Sequence, residues 1–443
     1  MYQFLFDINK CVGCSACVVA CAIENKTQAP MSWRNVSTFN DFQLPEIPIF
    51  HYSLACNHCE EAPCSLNCPA LAYSKDLVTG AVIHTENKCI GCKYCTWACP
   101  FDAPKFNINK QVVEKCTFCN SRIQNGLKPA CATLCPTGAL DFGLKNKEAN
   151  NAKIPAFNQL NINPSIEFIP LRKATNAPEI VCSDLEEKDI TKYNIQARLP
   201  ESKITARKES SLVVFTLLVS ILSGSFAAHI FNYFRLNPLF FLVLGVFGML
   251  LSSLHLGQKQ RAYRAILNLR NSWLSREIFS FSAFIGLAFV HWFVLPDCIV
   301  IQYFAVIFAA LTLVSIDFVY KLANQKNNLF VNSAQVVFSG VLFYALFAQN
   351  LWFLLFLGIL KFGLYVKNNF KELSAFKIKK HRLKLLRIIL LFSIFLGFFN
   401  FDYYFIFISI CFILGELIDR IEFYDGLEIT NPKMEMYAEM KNK

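Results

Sequence analysis

The sequence contains no glycine-rich nucleotide-binding loop, no flavin fingerprint and no stretch long enough for a molybdopterin-sized domain. Because such cofactors carry the difficult steps of most redox chemistry, their absence indicates that any conversion of a final substrate belongs to a separate subunit. Histidine is also scarce, with 7 residues among 443. Few residues are therefore available to ligate haem.

We also expect no secretory leader, because the first cysteine follows only the stretch MYQFLFDINK. Disulfide frameworks form in oxidising compartments, which usually requires such a leader. The 19 cysteines of the chain are therefore expected to bind metal centres rather than to form disulfides.

Sixteen of the 19 cysteines lie before residue 136, in four groups of four. The groups are Cys11, Cys14, Cys17 and Cys21; Cys56, Cys59, Cys64 and Cys68; Cys89, Cys92, Cys95 and Cys99; and Cys116, Cys119, Cys131 and Cys135. The third group, KCIGCKYCTWACP, has the spacing C-x2-C-x2-C-x3-C before a proline. Zinc sites use C-x2-C pairs and gain nothing from a third cysteine three residues later, whereas a cubane cluster needs three thiolates from one tight loop. The pattern predicts four 4Fe–4S clusters rather than zinc ribbons.

In the bacterial ferredoxin run the fourth cysteine ligates the other cluster of a pair, so each group needs a partner group. Only twenty residues separate Cys68 from Cys89, which favours a nested arrangement of the second and third groups between the first and fourth. Consecutive pairing, first with second and third with fourth, remains open at this point.

The chain divides by composition into four parts. We predict an α+β tandem ferredoxin-like four-cluster domain at 1–143, with short strands such as QFLFDI and AVIHT and single helical turns after the motifs. Residues 144–210 are rich in Asn, Lys, Pro and Glu, which indicates an extended wrap or linker, with Cys182 alone and inert in it. An all-α polytopic membrane domain follows at 211–420, and a polar tail at 421–443.

The membrane domain is predicted to have about eight transmembrane helices, because its apolar runs approach the length that crosses a bilayer. The predicted spans are 211–234, 238–256, 277–294, 298–321, 331–348, 349–366, 385–400 and 403–420. Only Gln349 and Asn350 separate the fifth from the sixth, so seven spans is the alternative.

Positive charges set the predicted orientation. Lys and Arg are dense before the first span, in the loop after the second, and in KELSAFKIKKHRLKLLR after the sixth, whereas LPD, QN and NFDYY contain none. By the positive-inside rule, the amino terminus, the even-numbered loops and the tail are cytoplasmic. We therefore predict a multi-pass protein of the bacterial cytoplasmic (inner) membrane with its cluster domain on the cytoplasmic side. The net charge of +11 then reflects membrane topology, and no nucleic-acid partner is expected.

We expect no haem in the membrane domain. Haem anchors use histidine pairs at matched depth, and only His229 and His291 meet that condition. Packing or interfacial roles for both are the simpler interpretation.

Several stretches carry a resemblance to a known family. The cysteine block, with CNHCEEAPC and CIGCKYCTWACP, resembles the iron–sulfur subunit of dimethyl sulfoxide reductase and of its polysulfide, nitrate and formate relatives. LHLGQKQRAYRA at 254–265, LSREI at 274–278 and GELIDRIEFY at 415–424 resemble the anchor subunit of dimethyl sulfoxide reductase. These two subunits are usually separate chains, so the fusion leaves any inference about export open.

The resemblance implies an electron-transfer subunit that oxidises menaquinol or another quinol, and a molybdenum-bis(pterin) catalytic partner that reduces S- or N-oxides in anaerobic respiration. It also implies nested ligand sets: Cys11, Cys14, Cys17 with Cys135; Cys21 with Cys116, Cys119, Cys131; Cys56, Cys59, Cys64 with Cys99; and Cys68 with Cys89, Cys92, Cys95. All sixteen positions are cysteine, including the one that some relatives replace to give a three-iron centre. The alternatives are a quinone-reducing anchor of a formate, polysulfide, tetrathionate or thiosulfate enzyme, and a redox sensor.

A quinol site is predicted on the cluster side of the membrane, where four ionisable residues, His255, Glu277, Glu416 and Arg420, converge in depth. We assign His255 as proton acceptor, Glu277 or Glu416 to the proton exit path, and Arg261 to orienting the headgroup. The structural alternative is that Glu416 pairs with Arg420, and Glu277 with Arg276, as ordinary helix-end ion pairs.

Overall fold

The computed structural model describes residues 1–39, 49–145, 162–170, 204–321, 332–374, 384–390, 397–427 and 429. The chain forms two units, Met1–Glu201 with Ile429–Lys443, and Ser202–Glu428. The first unit contains all four cysteine groups and the second contains the long apolar helices.

Short strands make up the frame of the cluster unit. They are β1 Tyr2–Asp7, β2 Asn35–Phe39, β3 Phe50–Leu54, β4 Tyr73–Lys75, β5 Val82–His84, β6 Lys105–Asn107, β7 Val112–Glu114, β8 Leu140–Leu144 and β9 Ile166–Ile169. One sheet has the order β8-β1-β9, and β2–β3, β4–β5 and β6–β7 form antiparallel pairs. The strands predicted in QFLFDI and AVIHT are confirmed as β1 and β5.

The hydrophobic core of this unit lies against β1. Alternate residues of a strand point to the same face, so Phe4 and Phe6 are both buried there. Phe4 makes edge contacts with Phe118 and Phe142, and Phe6 makes an edge contact with Tyr52. These aromatic contacts join the first strand to three segments that are distant in sequence.

Strand β9 lies inside the segment predicted as a wrap or linker. It pairs in parallel with β1, and its Ile166 and Phe168 side chains are buried. Residues 146–161 and 171–203, including Cys182, lie outside the described residues.

Short helices begin within the cysteine motifs, and not after them as predicted. They are α1 Ala16–Asn25, α2 Pro63–Leu66, α3 Tyr94–Ala98, α4 Asn120–Gln124 and α5 Ala130–Thr133, with a 3-10 turn at Glu86–Lys88. The predicted single turns are confirmed in α2 to α5. Helix α1 is longer, and its i,i+4 spacing places Cys17 and Cys21 on one buried face.

Helices make up the described part of the second unit. They are α6 Ser210–Ile230, α7 Pro238–Leu254, α8 Trp273–Phe293, α9 Ile299–Lys321, α10 Val336–Phe347, α11 Leu351–Ser374 and α12 Gly397–Asp425, with a 3-10 helix at Lys259–Ile266 and helical residues at 384–390. Among the described residues, α6, α8 and α9 are long and apolar enough to cross a membrane. Helix α7 and the 3-10 helix, bent by 105°, form a fourth span if they are counted as one.

Three predicted helix boundaries were wrong. Helix α8 begins at Trp273, capped by Ser272, whose Oγ accepts from the Ser275 amide, so Glu277 lies inside the helix rather than at its start. The stretch NFDYY, predicted as a loop, lies within α12. Helix α10 is 12 residues long and begins at Val336 rather than at 331, although the break from α11 at Gln349, with φ of 52°, lies where the sequence predicted it.

Candidate cluster-binding and quinol sites

The first and third cysteine motifs have the same loop conformation. Gly13 and Gly91 have φ of 70° and 69°, and the residues after the second cysteine, Ser15 and Lys93, both have φ of 60°. Backbone in this region is costly for residues other than glycine. Both loops thus repeat the same backbone pattern, a left-handed glycine before the second cysteine and a left-handed residue of another type after it.

The second and fourth motifs also contain left-handed residues between their first two cysteines. His58 has φ of 43° and Phe118 has φ of 66°, and the two side chains stack with ring centroids 4.2 Å apart. The fold therefore brings these two motifs together at their turns.

Backbone amides in the motif loops point at cysteine sulfurs. The N–H groups of Gly91, Phe118 and Leu140 donate to the Sγ atoms of Cys89, Cys116 and Cys135 at 3.3 Å each, and Ala72 N donates to Cys68 at 3.4 Å. Hydrogen bonds to a charged form stabilise that form. These amides suit thiolates, which are the ligands of iron.

The electrostatic interactions of the cysteines can be compared with the four ligand sets that the family resemblance implies. Most fall within a set, but Cys17 also interacts with Cys131, and Cys116 with Cys56. We name the ligand sets set A (Cys11, Cys14, Cys17, Cys135), set B (Cys21, Cys116, Cys119, Cys131), set C (Cys56, Cys59, Cys64, Cys99) and set D (Cys68, Cys89, Cys92, Cys95). Cys11 interacts with the other three members of set A, and Cys59 with the other three of set C. Cys95 interacts with the other three of set D, and Cys21 with two members of set B.

Burial disfavours ionisation of these thiols in the protein alone. It raises the pKa of Cys21 to about 12 and also raises that of Cys64. Thiolates in these positions therefore need compensating positive charge close by, which bound iron would supply.

The residues of the second motif also fit a sulfur-rich group. His58 is 1% exposed, its Nδ1 accepts from Val82 N at 3.0 Å, and its Nε2 has no partner. Both side-chain amide atoms of the buried Asn57 are likewise without a partner. Burial, with Lys115 and Arg34, lowers the pKa of His58 well below its usual value. The neutral ring therefore presents an N–H donor for which a cluster sulfur would be an acceptor. Among the described residues, no three His, Cys, Asp or Glu side chains are arranged to hold a metal ion.

Two buried cations that the sequence analysis did not single out lie among these sets. Arg34 is 1% and Lys115 is 2% exposed. Burial lowers the pKa of Lys115, but the charged forms of Cys56, Cys64 and Cys116 and the hydrogen bond to Cys56 raise it, and the net direction is upward. Lys115 stands directly before a motif cysteine, and that position was the one signal available from the sequence.

The predicted quinol residues fall into two groups. His255 caps the end of α7, Arg261 lies in the following 3-10 helix, and Glu277 lies in α8, which packs against both of those elements. Glu416 lies in α12 and contacts a different set of helices. Helix α8 therefore packs against the elements that carry His255 and Arg261, whereas the nearest described partners of Glu416 lie on α10 and α11.

Glu277 is 4% exposed and is not paired with Arg276, contrary to the ion pair considered from the sequence. Arg276 instead donates to the carbonyls of Leu269 and Arg270 and lies over the Trp273 ring. The Glu277 carboxyl interacts electrostatically with two tyrosines that the sequence analysis missed, Tyr320 and Tyr424, whose hydroxyls bond to each other. Tyr424 ends the motif GELIDRIEFY, which was the available signal.

Glu416 belongs to a buried ion network that the sequence did not reveal. Lys361 Nζ lies 2.7 Å from Glu416 Oε2, and Ser339 Oγ donates to the same oxygen at 2.6 Å. Arg387 Nη2 lies 2.6 Å from Asp419 Oδ2 and 3.5 Å from Glu416 Oε1. The suggested pair of Glu416 with Arg420 was wrong, because Arg420 donates to Ser220 on α6 at 2.8 Å.

His229 and His291 have ring centroids 6.3 Å apart. His229 Nδ1 lies 3.1 Å from the Phe234 carbonyl, and its Nε2 accepts from Trp292 Nε1 at 3.2 Å. Both ring nitrogens of His229 thus have hydrogen-bond partners. The absence of haem stays a prediction.

Comparisons with known proteins match both units. Residues 47–145 match the family described as a 4Fe-4S dicluster domain, and residues 205–377 match the family described as the DMSO reductase anchor subunit.

The relatives found among curated proteins match about the first third of the sequence. An anaerobic dimethyl sulfoxide reductase chain of Haemophilus influenzae is 36% identical over 166 residues, which is 34% of this protein and 80% of the relative. Its namesake from Escherichia coli K12 is 36% identical over 150 residues, 32% of this protein and 73% of the relative. A sulfite dehydrogenase subunit of Allochromatium vinosum is 37% identical over 160 residues, 31% of this protein and 67% of the relative.

Proposed function

Because the protein belongs to the family of dimethyl sulfoxide reductase iron–sulfur subunits and carries an anchor domain of the same enzyme type, we propose that it oxidises quinol in the membrane. The electrons pass through four 4Fe–4S clusters to a molybdenum-bis(pterin) catalytic subunit that reduces dimethyl sulfoxide or related S- or N-oxides. The observation that carries this proposal is the presence of both matches in one polypeptide. An iron–sulfur electron-transfer subunit is thereby joined to its membrane anchor.

Each set of four cysteines is proposed to hold one cluster, whose chemistry is the uptake and release of one electron. The residues around the sets support this function. Backbone amides stabilise thiolates, and the aromatic and alanine residues between motifs exclude water. A series of such centres conducts electrons and converts no substrate itself.

The proposed quinol site is centred on Glu277. Quinol oxidation releases two electrons and two protons, so a proton acceptor must lie beside each hydroxyl group. Glu277 is buried in α8 without an ion-pair partner among the described residues, and it interacts electrostatically with Tyr320 and Tyr424. His255 and Arg261, on the elements packed against α8, complete the proposed site. Glu416, already paired with Lys361, is retained only as part of the proton path.

The reverse direction, in which electrons from another substrate reduce quinone, is the second candidate. The similarity to a sulfite dehydrogenase subunit favours it, since that relative is named for an oxidation. The anchor match favours the reductase direction.

Metal analysis tests the cluster proposal. We expect about sixteen iron atoms per polypeptide, four for each cluster, and no three-iron signal in the oxidised spectrum. About twelve iron atoms, or a three-iron signal, would show that one set does not hold a complete cluster.

Mutation of the membrane unit tests the quinol proposal. In membranes that hold the whole complex, His255→Ala and Glu277→Gln are expected to lower quinol-driven turnover by about 100-fold, because each removes a proton acceptor. Turnover driven by a dye that reduces the clusters directly should be retained. Arg235→Gln, in the loop between α6 and α7, is the control. Unchanged quinol turnover in both site variants would contradict this site.

A further inference from the structure

Arg34 and Lys115 are buried without a carboxylate partner among the described residues. Arg34 Nη1 donates to the Ser53 carbonyl at 3.3 Å and to Ser53 Oγ at 3.0 Å, and that hydroxyl lies 3.3 Å from Cys17 Sγ. Lys115 Nζ donates to Cys56 Sγ at 3.4 Å, to the Cys116 carbonyl at 2.9 Å and to the Val82 carbonyl. The polar partners of both cations are thus neutral groups and cysteine sulfurs.

A buried charge is costly unless it is paired. Val82 and Ser53 supply dipoles but no negative charge. A cubane held by four thiolates is an anion in both oxidation states and becomes more negative when it accepts an electron. Clusters held by the cysteine sets would therefore supply the negative charge that balances these two cations.

The two cations lie at successive junctions between sets. Arg34 interacts electrostatically with Cys17 of set A and with Cys21, Cys116 and Cys131 of set B. Lys115 interacts with Cys116 of set B and with Cys56 and Cys64 of set C. Set B therefore interacts electrostatically with both cations.

The junction between sets C and D has a different occupant. Tyr73 interacts there with Cys64 of set C and with Cys68 and Cys95 of set D. A phenol carries no positive charge, so set D receives less stabilisation from this source than sets B and C. Taken in the order A to D, the sets are therefore linked by cations at the first two junctions and by a phenol at the third.

We propose that Lys115 and Arg34 are junction cations that raise the reduction potentials of the clusters on either side of them, Lys115 for sets B and C and Arg34 for sets A and B. A fixed positive charge between two anionic centres stabilises the electron on either one. Set B, which is flanked by both, gains most. This inference rests on the proposed cluster-binding function.

The test is a redox titration of the four clusters, followed by electron paramagnetic resonance, in membranes that contain the full-length protein. Lys115→Met keeps the length of the side chain and removes its charge. We expect two of the four clusters to become harder to reduce, each by at least about tenfold in the equilibrium constant, which is ~59 mV for one electron. The other two should shift less.

Lys88→Met is the matched control. Lys88 directly precedes Cys89, as Lys115 precedes Cys116, but its side chain is exposed. We expect no shift in any of the four potentials from this variant, because solvent screens an exposed charge.

Iron content distinguishes a failure of the junction-cation inference from a failure of the proposed function. If Lys115→Met retains about sixteen iron atoms and all four potentials are unchanged, the junction-cation inference is overturned and the proposed function stands. If the unsubstituted protein lacks the clusters, the proposed function itself fails. Should Lys115→Met lose a cluster, Arg34→Met and Arg34→Lys provide the test. Only the methionine variant should lower two potentials, and equal behaviour of the two would overturn the inference.

Discussion

At the scale of single residues, the cluster loops depend on backbone conformations that few side chains accept. Gly13 has φ of 70°, and a Cβ atom there would lie 2.7 Å from Cε1 and Nδ1 of His51. The His51 ring is itself held by a 3.0 Å hydrogen bond to Thr38 Oγ1. Gly13 is therefore constrained both by its backbone and by its neighbour.

We predict that Gly13→Ala destabilises the loop of set A and lowers the iron content by about four atoms per polypeptide, the content of one cluster. The left-handed backbone costs about 1–2 kcal/mol for alanine, and His51 must also move. Iron analysis and thermal unfolding measure the two effects.

Gly126→Ala is the control for this prediction. Gly126 has φ of 74°, but nothing lies within 4 Å of a Cβ atom placed there. This variant should lose stability from backbone strain and keep its iron. Equal iron loss in both variants would show that strain alone, and not the contact with His51, determines cluster retention.

At the scale of helices, the sequence predicted where the apolar segments lie better than how they contact one another. A helix occurs in each of the eight predicted runs, because long apolar stretches are helical in a bilayer whatever their partners are. The start of α8 was missed because its first turn, WLSRE, is polar enough to resemble a loop, although Ser272 caps it. The count of eight spans stays a prediction.

Side-chain partners were the least predictable feature. Glu416 and Arg420 are four residues apart on one helix, which favours a pair in an isolated helix. In the protein, Lys361 on α11 forms an ion pair with Glu416, and Arg420 donates a hydrogen bond to Ser220 on α6. These contacts join segments distant in sequence, and no local pattern contains them. The cluster-binding cysteines, in contrast, could be predicted from the sequence, because cluster binding depends on the spacing of cysteines within one loop.

We predict that Lys361→Met destabilises the membrane unit by about 3–5 kcal/mol, because it leaves the Glu416 carboxylate buried without its closest cation. Arg387, at 3.5 Å from the other carboxylate oxygen, compensates only in part. Thermal unfolding in detergent measures the loss.

The double variant Lys361→Met with Glu416→Gln should recover most of the stability, since it removes both charges together. Lys321→Met, at the exposed end of α9, is the control and should be neutral. If the double variant is less stable than the single one, Glu416 is stabilised by Arg387 and Ser339 alone, and the pairing argument fails.

At the scale of the whole molecule, the asymmetry of positive charge predicts the membrane orientation. Five Lys and Arg residues lie between α7 and the second turn of α8, whereas the connection LPD between α8 and α9 has none. Cytoplasmic loops carry the excess of Lys and Arg. The amino-terminal cluster unit and the end of α12 are therefore predicted to face the cytoplasm.

Reporter fusions test this orientation at two points of the sequence. A reporter that is active only outside the cytoplasm should be silent after Tyr424 and active after Asp297, and a reporter active only in the cytoplasm should give the opposite pattern. Each fusion is the control for the other, because the two points are predicted to lie on opposite sides of the membrane. Helix α9 begins directly after Asp297. The reversed pattern at both points would place the clusters outside.

The proposed proton acceptors at the start of α8 would then release their protons outside as well, because the start of α8 and the end of α12 are predicted to lie on one side of the membrane. Quinol oxidation would in that case add protons to the outer side, whereas the predicted orientation returns them to the cytoplasm.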